Sequence, residues 1–143
     1  MYVVKKISLN DLKECYEIDY MTIGLWSIKQ WENELKKEYV YAFACFRNYK
    51  IVGVCVFQII FCIAELTFIS IHPTFKRKGI GKKLLEEILK KCNSFAVEKI
   101  ILEVSEKNIA ALNFYRSFGF KTVGIRKKYY EDGSNALLQE KKL

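Results

Sequence analysis

The stretch Phe75-Lys76-Arg77-Lys78-Gly79-Ile80-Gly81-Lys82-Lys83-Leu84-Leu85 decides the fold of this chain. It follows an apolar run, Leu66 to Ile71, that closes on His72-Pro73, and it opens a segment with apolar residues at helical spacing. Strand, glycine turn and fresh helix in that order make a cradle for an anion. Glycine lacks a Cβ, so main-chain N–H groups can approach a ligand closely. The first helical turn leaves its own N–H groups unpaired at the positive end of the helix dipole. A phosphate-bearing ligand is expected there, although a plain tight turn before a helix is spelled the same way. A dinucleotide fingerprint needs a third glycine where Leu84 stands, and a P-loop needs a hydroxyl where Lys83 stands. Both nucleotide readings fail.

Working outward, Ile80, Leu84, Leu85, Ile88, Leu89 and Cys92 form one helix face. Lys82, Lys83, Glu86, Glu87, Lys90 and Lys91 form the other, with Glu86–Lys90 and Glu87–Lys91 at i,i+4 spacing. Downstream, Lys99 to Val104 reads as a strand. Asn108 can cap a helix that runs to Phe118 and stops at Gly119, and strands follow at Phe120–Ile125 and Asn135–Lys142. Upstream, Tyr2–Lys6 is a strand and Asn10–Tyr20 a helix with Leu12, Cys15, Tyr16 and Asp19 at helical spacing. Ser27-Ile28-Lys29-Gln30 has the capping-box pattern, ahead of an apolar stripe of Ile28, Trp31 and Leu35. Tyr39–Phe46 and Ile51–Ile60 make a hairpin through Arg47-Asn48-Tyr49-Lys50, and Ala64–Ile71 follows as a strand. The order β-α-α-β-β-β-α-β-α-β-β predicts an α/β fold: a mixed sheet with helices on both faces, parallel where the crossover helix returns.

Composition bounds the rest. A chain of 143 residues that is 51% hydrophobic and 15% aromatic can bury a core as one domain, residues 1–143, and a single proline marks no linker. Five cysteines include no Cys-x-x-Cys pair, and His72 is the only histidine. No metal site and no Cys–His catalytic pair are expected; buried reduced thiols fit a cytoplasmic protein. Met1-Tyr2-Val3-Val4-Lys5-Lys6 does not read as a signal peptide, and the oily run Ile51–Leu66 is too short and, with Gln58 and Glu65, too polar to cross a bilayer. The net charge of +8 reads either as a solvated lysine-rich surface or as steering of a polyanion. A nucleic-acid-binding module is the rival class, but neither a stacking-aromatic strand motif nor a recognition helix is visible.

The run Ile69-Ser70-Ile71-His72-Pro73 into Lys76-Arg77-Lys78-Gly79-Ile80-Gly81 resembles the acyl-CoA-binding motif of the GCN5-related N-acetyltransferases. So does the block Leu102-Glu103-Val104, Asn108, Ala111, Phe114-Tyr115, Gly119-Phe120. Within that superfamily the chain is similar to the bacterial RimI type, which acetylates the N-terminal alanine of a small-subunit ribosomal protein. The likeness extends to Trp26-Ser27 and Tyr129-Tyr130. It implies the acetyltransferase fold, acetyl-CoA as donor, and a protein or peptide N-terminus as acceptor, in a monomer or weak dimer without membrane or nucleic-acid partners. Site by site, it implies that the backbone of Ile69, Ser70 and Ile71 pairs with the pantetheine arm. Arg77, Lys78, Gly79, Ile80, Gly81 and Lys82 would hold the pyrophosphate, and Asn108 the cofactor arm. Glu103 would take the proton from the amine and Tyr115 would protonate the departing thiolate.

Two positions depart from the family pattern. Lys76 stands where Arg or Gln is usual, and Ser134-Asn135-Ala136 stands where Glu-Asp-Ala often follows the tyrosine pair. By spacing alone, Glu103 also reads as a salt-bridged strand carboxylate, Tyr115 as a core ring and Asn108 as a helix cap. A small-molecule amine is the rival acceptor, and an acyl-CoA sensor without catalysis is possible on the same frame. A basic acceptor calls for an acidic mouth, expected from Glu65, Glu103, Glu131 and Asp132.

Overall fold

A computed structural model describes all residues, 1–143. Seven strands, β1 (Val3–Lys6), β2 (Val40–Arg47), β3 (Lys50–Ile60), β4 (Ile63–Ile71), β5 (Lys99–Ser105), β6 (Lys121–Arg126) and β7 (Ala136–Lys142), form one sheet in the order β1-β2-β3-β4-β5-β7-β6. Four helices, α1 (Leu12–Met21), α2 (Ile28–Lys36), α3 (Ile80–Ser94) and α4 (Ile109–Ser117), complete the order read from the sequence. All strand pairs are antiparallel except β4–β5, where α3 makes the crossover.

Alternation along the strands builds two cores, one on each sheet face. On one face α1 and α2 bring Cys15, Ile18 and Trp31 against Ala42, Ala44, Val54, Val56 and Phe68. On the other, α3 lays Ile80, Leu84, Leu85, Ile88 and Cys92 on Cys55, Phe57, Ile100 and Leu102, with Tyr115 of α4 beside them. Local details differ from expectation where tertiary contacts win. Ile28 is exposed, so the buried stripe of α2 rests on Trp31. Lys91 lies over the rings of Tyr41 and Phe95, at 5.2 and 4.9 Å, and Glu87 pairs with Lys90 at 3.4 Å. The β2–β3 turn is only Asn48-Tyr49, both at positive φ (50° and 67°), the twist a two-residue hairpin demands.

One irregularity positions the site. Between Val56/Phe57 of β3 and Phe68/Leu66 of β4 the register slips, so that Thr67 is an extra residue, its hydroxyl donating to the Val56 carbonyl at 3.1 Å. A bulge inverts side-chain alternation. Ala64 and Leu66 therefore face the α3 side, whereas Phe68 faces α1 and α2, and Ile69 and Ile71 return to α3. Parallel pairing with β5 covers only Ile63↔Lys99, Ala64↔Ile100 and Glu65↔Ile101 and stops just before the bulge. Beyond it the sheet parts, and the outer edge of Phe68–Ile71 has no strand beside it.

Candidate active site

Three structural pieces meet at the gap between β4 and β5. The first is the turn into α3. Arg77 and Gly79 adopt left-handed conformations, φ 61° and 77°, and Gly79 caps α3 without any side-chain bond. The helix's first main-chain bond runs from Lys83 N–H to the Gly79 carbonyl, 3.1 Å. The N–H groups of Arg77 to Lys82 thus donate to no backbone carbonyl, at the end of a helix that attracts negative oxygen. Lys76, Arg77, Lys78, Lys82 and Lys83 are all exposed around them and form no ion pair. Gly81 lies against the Phe114 ring, which an added Cβ would meet at 3.5 Å. A hollow of about 370 Å³ opens here, between Ile71, Phe75, Gly81 and Phe118. His72 is engaged locally: Nδ1 accepts from Thr74 N–H at 3.1 Å and the ring meets Phe75 edge-on.

The second piece is the free edge of β4, Ile69-Ser70-Ile71, which leads from the turn to the gap. A diphosphate on the turn and an extended polar arm along this edge fit the donors present. Asn108 stands across the gap; its Oδ1 accepts from Ala111 N–H at 3.1 Å, so it is a helix cap, and it also lines the cleft.

The third piece is the cleft itself, about 600 Å³, walled by Trp26, Phe68, Ile69, Glu103, Tyr115 and Tyr130 among others. Alternation along β5 sends Leu102 and Val104 to the α3 side and Glu103 to the other. Glu103 Oε1 accepts from Arg126 Nε at 2.9 Å, while Oε2 is buried with no partner at all. A carboxylate oxygen that no protein group donates to, at the wall of a cleft, is a candidate proton acceptor. Tyr115 reaches the same cleft from the opposite sheet face, 6% exposed, its ring edge-on to Phe114 and Phe120. Burial, then the neighbouring Cys55, pushes its phenol above the ordinary tyrosine value. The hydroxyl therefore stays protonated through the neutral range, as a proton donor must.

Every residue expected to bind acetyl-CoA or to move a proton lies on the turn, the β4 edge or the cleft. Several contributors were missed: the Thr67 bulge, the Arg126–Glu103 pair, and Ile23 and Leu25, which line the cleft from the α1–α2 loop. The alternation of β5 and β6 was the available signal for Arg126; nothing in the sequence announces the bulge. The acidic mouth is corrected. Glu65 and Glu103 line the cleft, but Glu131 and Asp132 do not. Asp132 stays exposed and is engaged locally: Ser134 Oγ–H and N–H donate to it at 2.6 and 2.8 Å, which holds its carboxyl below the usual range, and Lys107 lies at 3.4 Å. Ser134 also meets Ser105 at 3.3 Å, and Asn135 accepts from Lys128 N–H at 2.9 Å. Ser134-Asn135-Ala136 thus pins the β6–β7 loop to the end of β5, and none of the three lines the cleft.

A parted sheet, an anion cradle, and a carboxylate and a phenol in one cleft fit an acyl-CoA-dependent transferase. Residues 7–120 match the model of the acetyltransferase (GNAT) family, and the chain belongs to that family of acetyl-CoA-dependent N-acetyltransferases. More particularly, it is 29% identical over 131 residues to the [ribosomal protein bS18]-alanine N-acetyltransferase of Escherichia coli K12, covering 91% of this chain and 88% of that one. The Haemophilus influenzae protein of the same name is 31% identical over the same shares of each chain. The crystal structure of the Escherichia coli ribosomal-protein-S18-alanine N-acetyltransferase superimposes with a TM-score of 0.92 at 28% identity, over 98% of this chain and 92% of that one. The acetyl-CoA complex of Arabidopsis thaliana NAA60 shares the fold, with a TM-score of 0.91 at 15% identity over 100% and 99% of the two chains.

Proposed function

We propose that residues 1–143 act in the cytoplasm as one domain that moves acetyl from acetyl-CoA to a protein α-amine, the acceptor being an alanine-starting ribosomal protein. The observation that carries the mechanism is that Glu103 and Tyr115, from opposite sheet faces, line one cleft. Relatives named for the alanine of bS18, matched over most of both chains, support the acceptor.

Acetyl-CoA supplies an activated acetyl thioester. The amides of Arg77 to Lys82 hold its diphosphate, the β4 edge aligns its arm, Asn108 contacts that arm, and the thioester comes to lie between Glu103 and Tyr115. The acceptor enters from the α1–α2 face. As its nitrogen bonds to the acetyl carbon, Glu103 Oε2 takes the amine proton directly or through one water. The carbon–sulfur bond breaks, and the Tyr115 hydroxyl gives its proton to the sulfur. An N–H near Ile71 stabilises the charge that develops on the carbonyl oxygen. Magnitude favours an α-amine: with pKa about 7.7–8.0, its neutralisation at pH 7 costs about 1.2 kcal/mol, against about 4.6 kcal/mol for a lysine.

Mass spectrometry of products from peptides beginning with Ala, Ser or Met, with spermidine and an internal-lysine peptide alongside, tests the acceptor. Acetylation of the α-amine, fastest on alanine, is expected. Turnover of spermidine alone would transfer the protein to small-amine chemistry.

A further inference from the structure

Asp19 sits on the buried face of α1 with no exposed surface. Its carboxylate is satisfied by N–H groups rather than by a cation. Leu25 N–H donates to Oδ1 at 2.8 Å, and Trp26 N–H and the Trp31 indole donate to Oδ2 at 2.9 and 2.7 Å. The Asp19 carbonyl takes the N–H groups of Thr22 and Gly24 as well, at 3.1 and 2.7 Å. Four of these donors belong to the short segment that joins α1 to α2, which Gly24 lets bend at φ 67°.

An apolar side chain would fill this core without the cost of burying a charge. What the carboxylate adds is a fixed loop, because its two oxygens accept from two consecutive loop amides at once. That loop is a wall of the cleft: Ile23, Leu25 and Trp26 line it. Trp26 is wedged edge-on to Trp31 at 4.9 Å and stacked on Phe68 at 5.8 Å, just past the bulge that parts the sheet.

We propose that Asp19 is a positioning residue for acceptor recognition: by clamping the Leu25 and Trp26 amides it holds the wall against which the first residues of the acceptor lie. The inference rests on the cleft being the acceptor site. Asp19→Asn keeps the shape but leaves one acceptor oxygen, so a loop amide loses its partner.

The expected result is an acceptor KM raised about tenfold, with kcat within about twofold, in keeping with one lost charge-assisted hydrogen bond. Acetyl-CoA affinity by calorimetry stays unchanged. Cys15→Ala thins the same core beneath α1 but leaves both loop amides bonded to Asp19, so it lowers thermal stability without moving the acceptor KM. An unchanged KM in Asp19→Asn, or the same rise in both variants, overturns the inference and leaves the acetyltransferase reading intact. A wild-type enzyme that acetylates no peptide removes both. Should Asp19→Asn not fold, amide exchange in the wild-type chain decides: slow exchange at Leu25 and Trp26 supports the clamp, and exchange at free-loop rates overturns it.

Discussion

At the scale of single residues, the proposed chemistry turns on two groups with opposite needs. Glu103 has one oxygen tied to Arg126 and one with no protein donor, so it is held in orientation and still able to accept. Tyr115 is kept neutral by burial, so it is available to donate. Removing a positioned acid or base of this kind costs about 10²–10⁴ in rate. Tyr115→Phe and Glu103→Gln are each expected to lower kcat within that range while acetyl-CoA affinity holds, measured by thiol release and calorimetry; full activity in both would end the assignment. The thiols make a separate statement. Burial pushes Cys15 and Cys55 from 9.0 up to about 12 and Cys92 up to about 11. A folded pKa above the unfolded one gives stability that is complete below about pH 9 and is lost as pH rises through 11–12. Melting temperature is therefore expected to hold to about pH 9 and then fall, the unfolded chain ionising first. In the native protein at neutral pH, only Cys62, the one thiol not buried, is open to an aromatic disulfide reagent.

At the scale of elements, the turn into α3 makes the sharpest claim. An alanine Cβ at Gly79 would meet nothing within 4 Å, so space is not the reason for glycine there. The reason is φ 77°, which costs an L-residue about 1–2 kcal/mol. Gly79→Ala is expected to relax the turn away from its left-handed form, weakening acetyl-CoA about tenfold while melting temperature shifts by only a few degrees. Calorimetry and thermal melts on the same samples separate the two effects, and unchanged affinity would deny the amides their role. This turn was legible because glycine spacing, a preceding strand and a following amphipathic stripe are all local signals. The capping box at Ser27, the α3 stripe and the order of elements along the chain were legible for the same reason. The Thr67 bulge was not. Phe68 and Leu66 are both apolar and two apart, so alternation puts them on one face, and only pairing with Val56 and Phe57 reveals that they part. Asp19 shows the same limit: an acid in line with Leu12 and Cys15 was visible, but its partners lie in a loop whose path no pattern encodes.

At the scale of the whole molecule, charge divides the two substrates. The net charge is +8, and five unpaired cations crowd the diphosphate end. The cleft mouth is not the acidic counterpart that a basic acceptor would call for. Glu103 is paired with Arg126, Glu65 accepts from Gln58 at 3.0 Å, and Asp132 is held by Ser134 and Lys107. The field therefore attracts acetyl-CoA and repels a basic peptide, so salt is expected to act on them in opposite directions. Between about 0.01 M and about 0.15 M the screening length falls from about 30 to about 8 Å, shorter than the span of the domain. Over that range the KM for acetyl-CoA is expected to rise several-fold, and the KM for a lysine-rich alanine-starting peptide to fall. An alanine-starting peptide with neutral side chains and an amidated C-terminus controls for the protein itself and is expected to hold constant within about twofold, its only charge being the α-amine. If the two substrates moved together, the basic acceptor would have to meet a compensating acidic surface that these side chains do not supply.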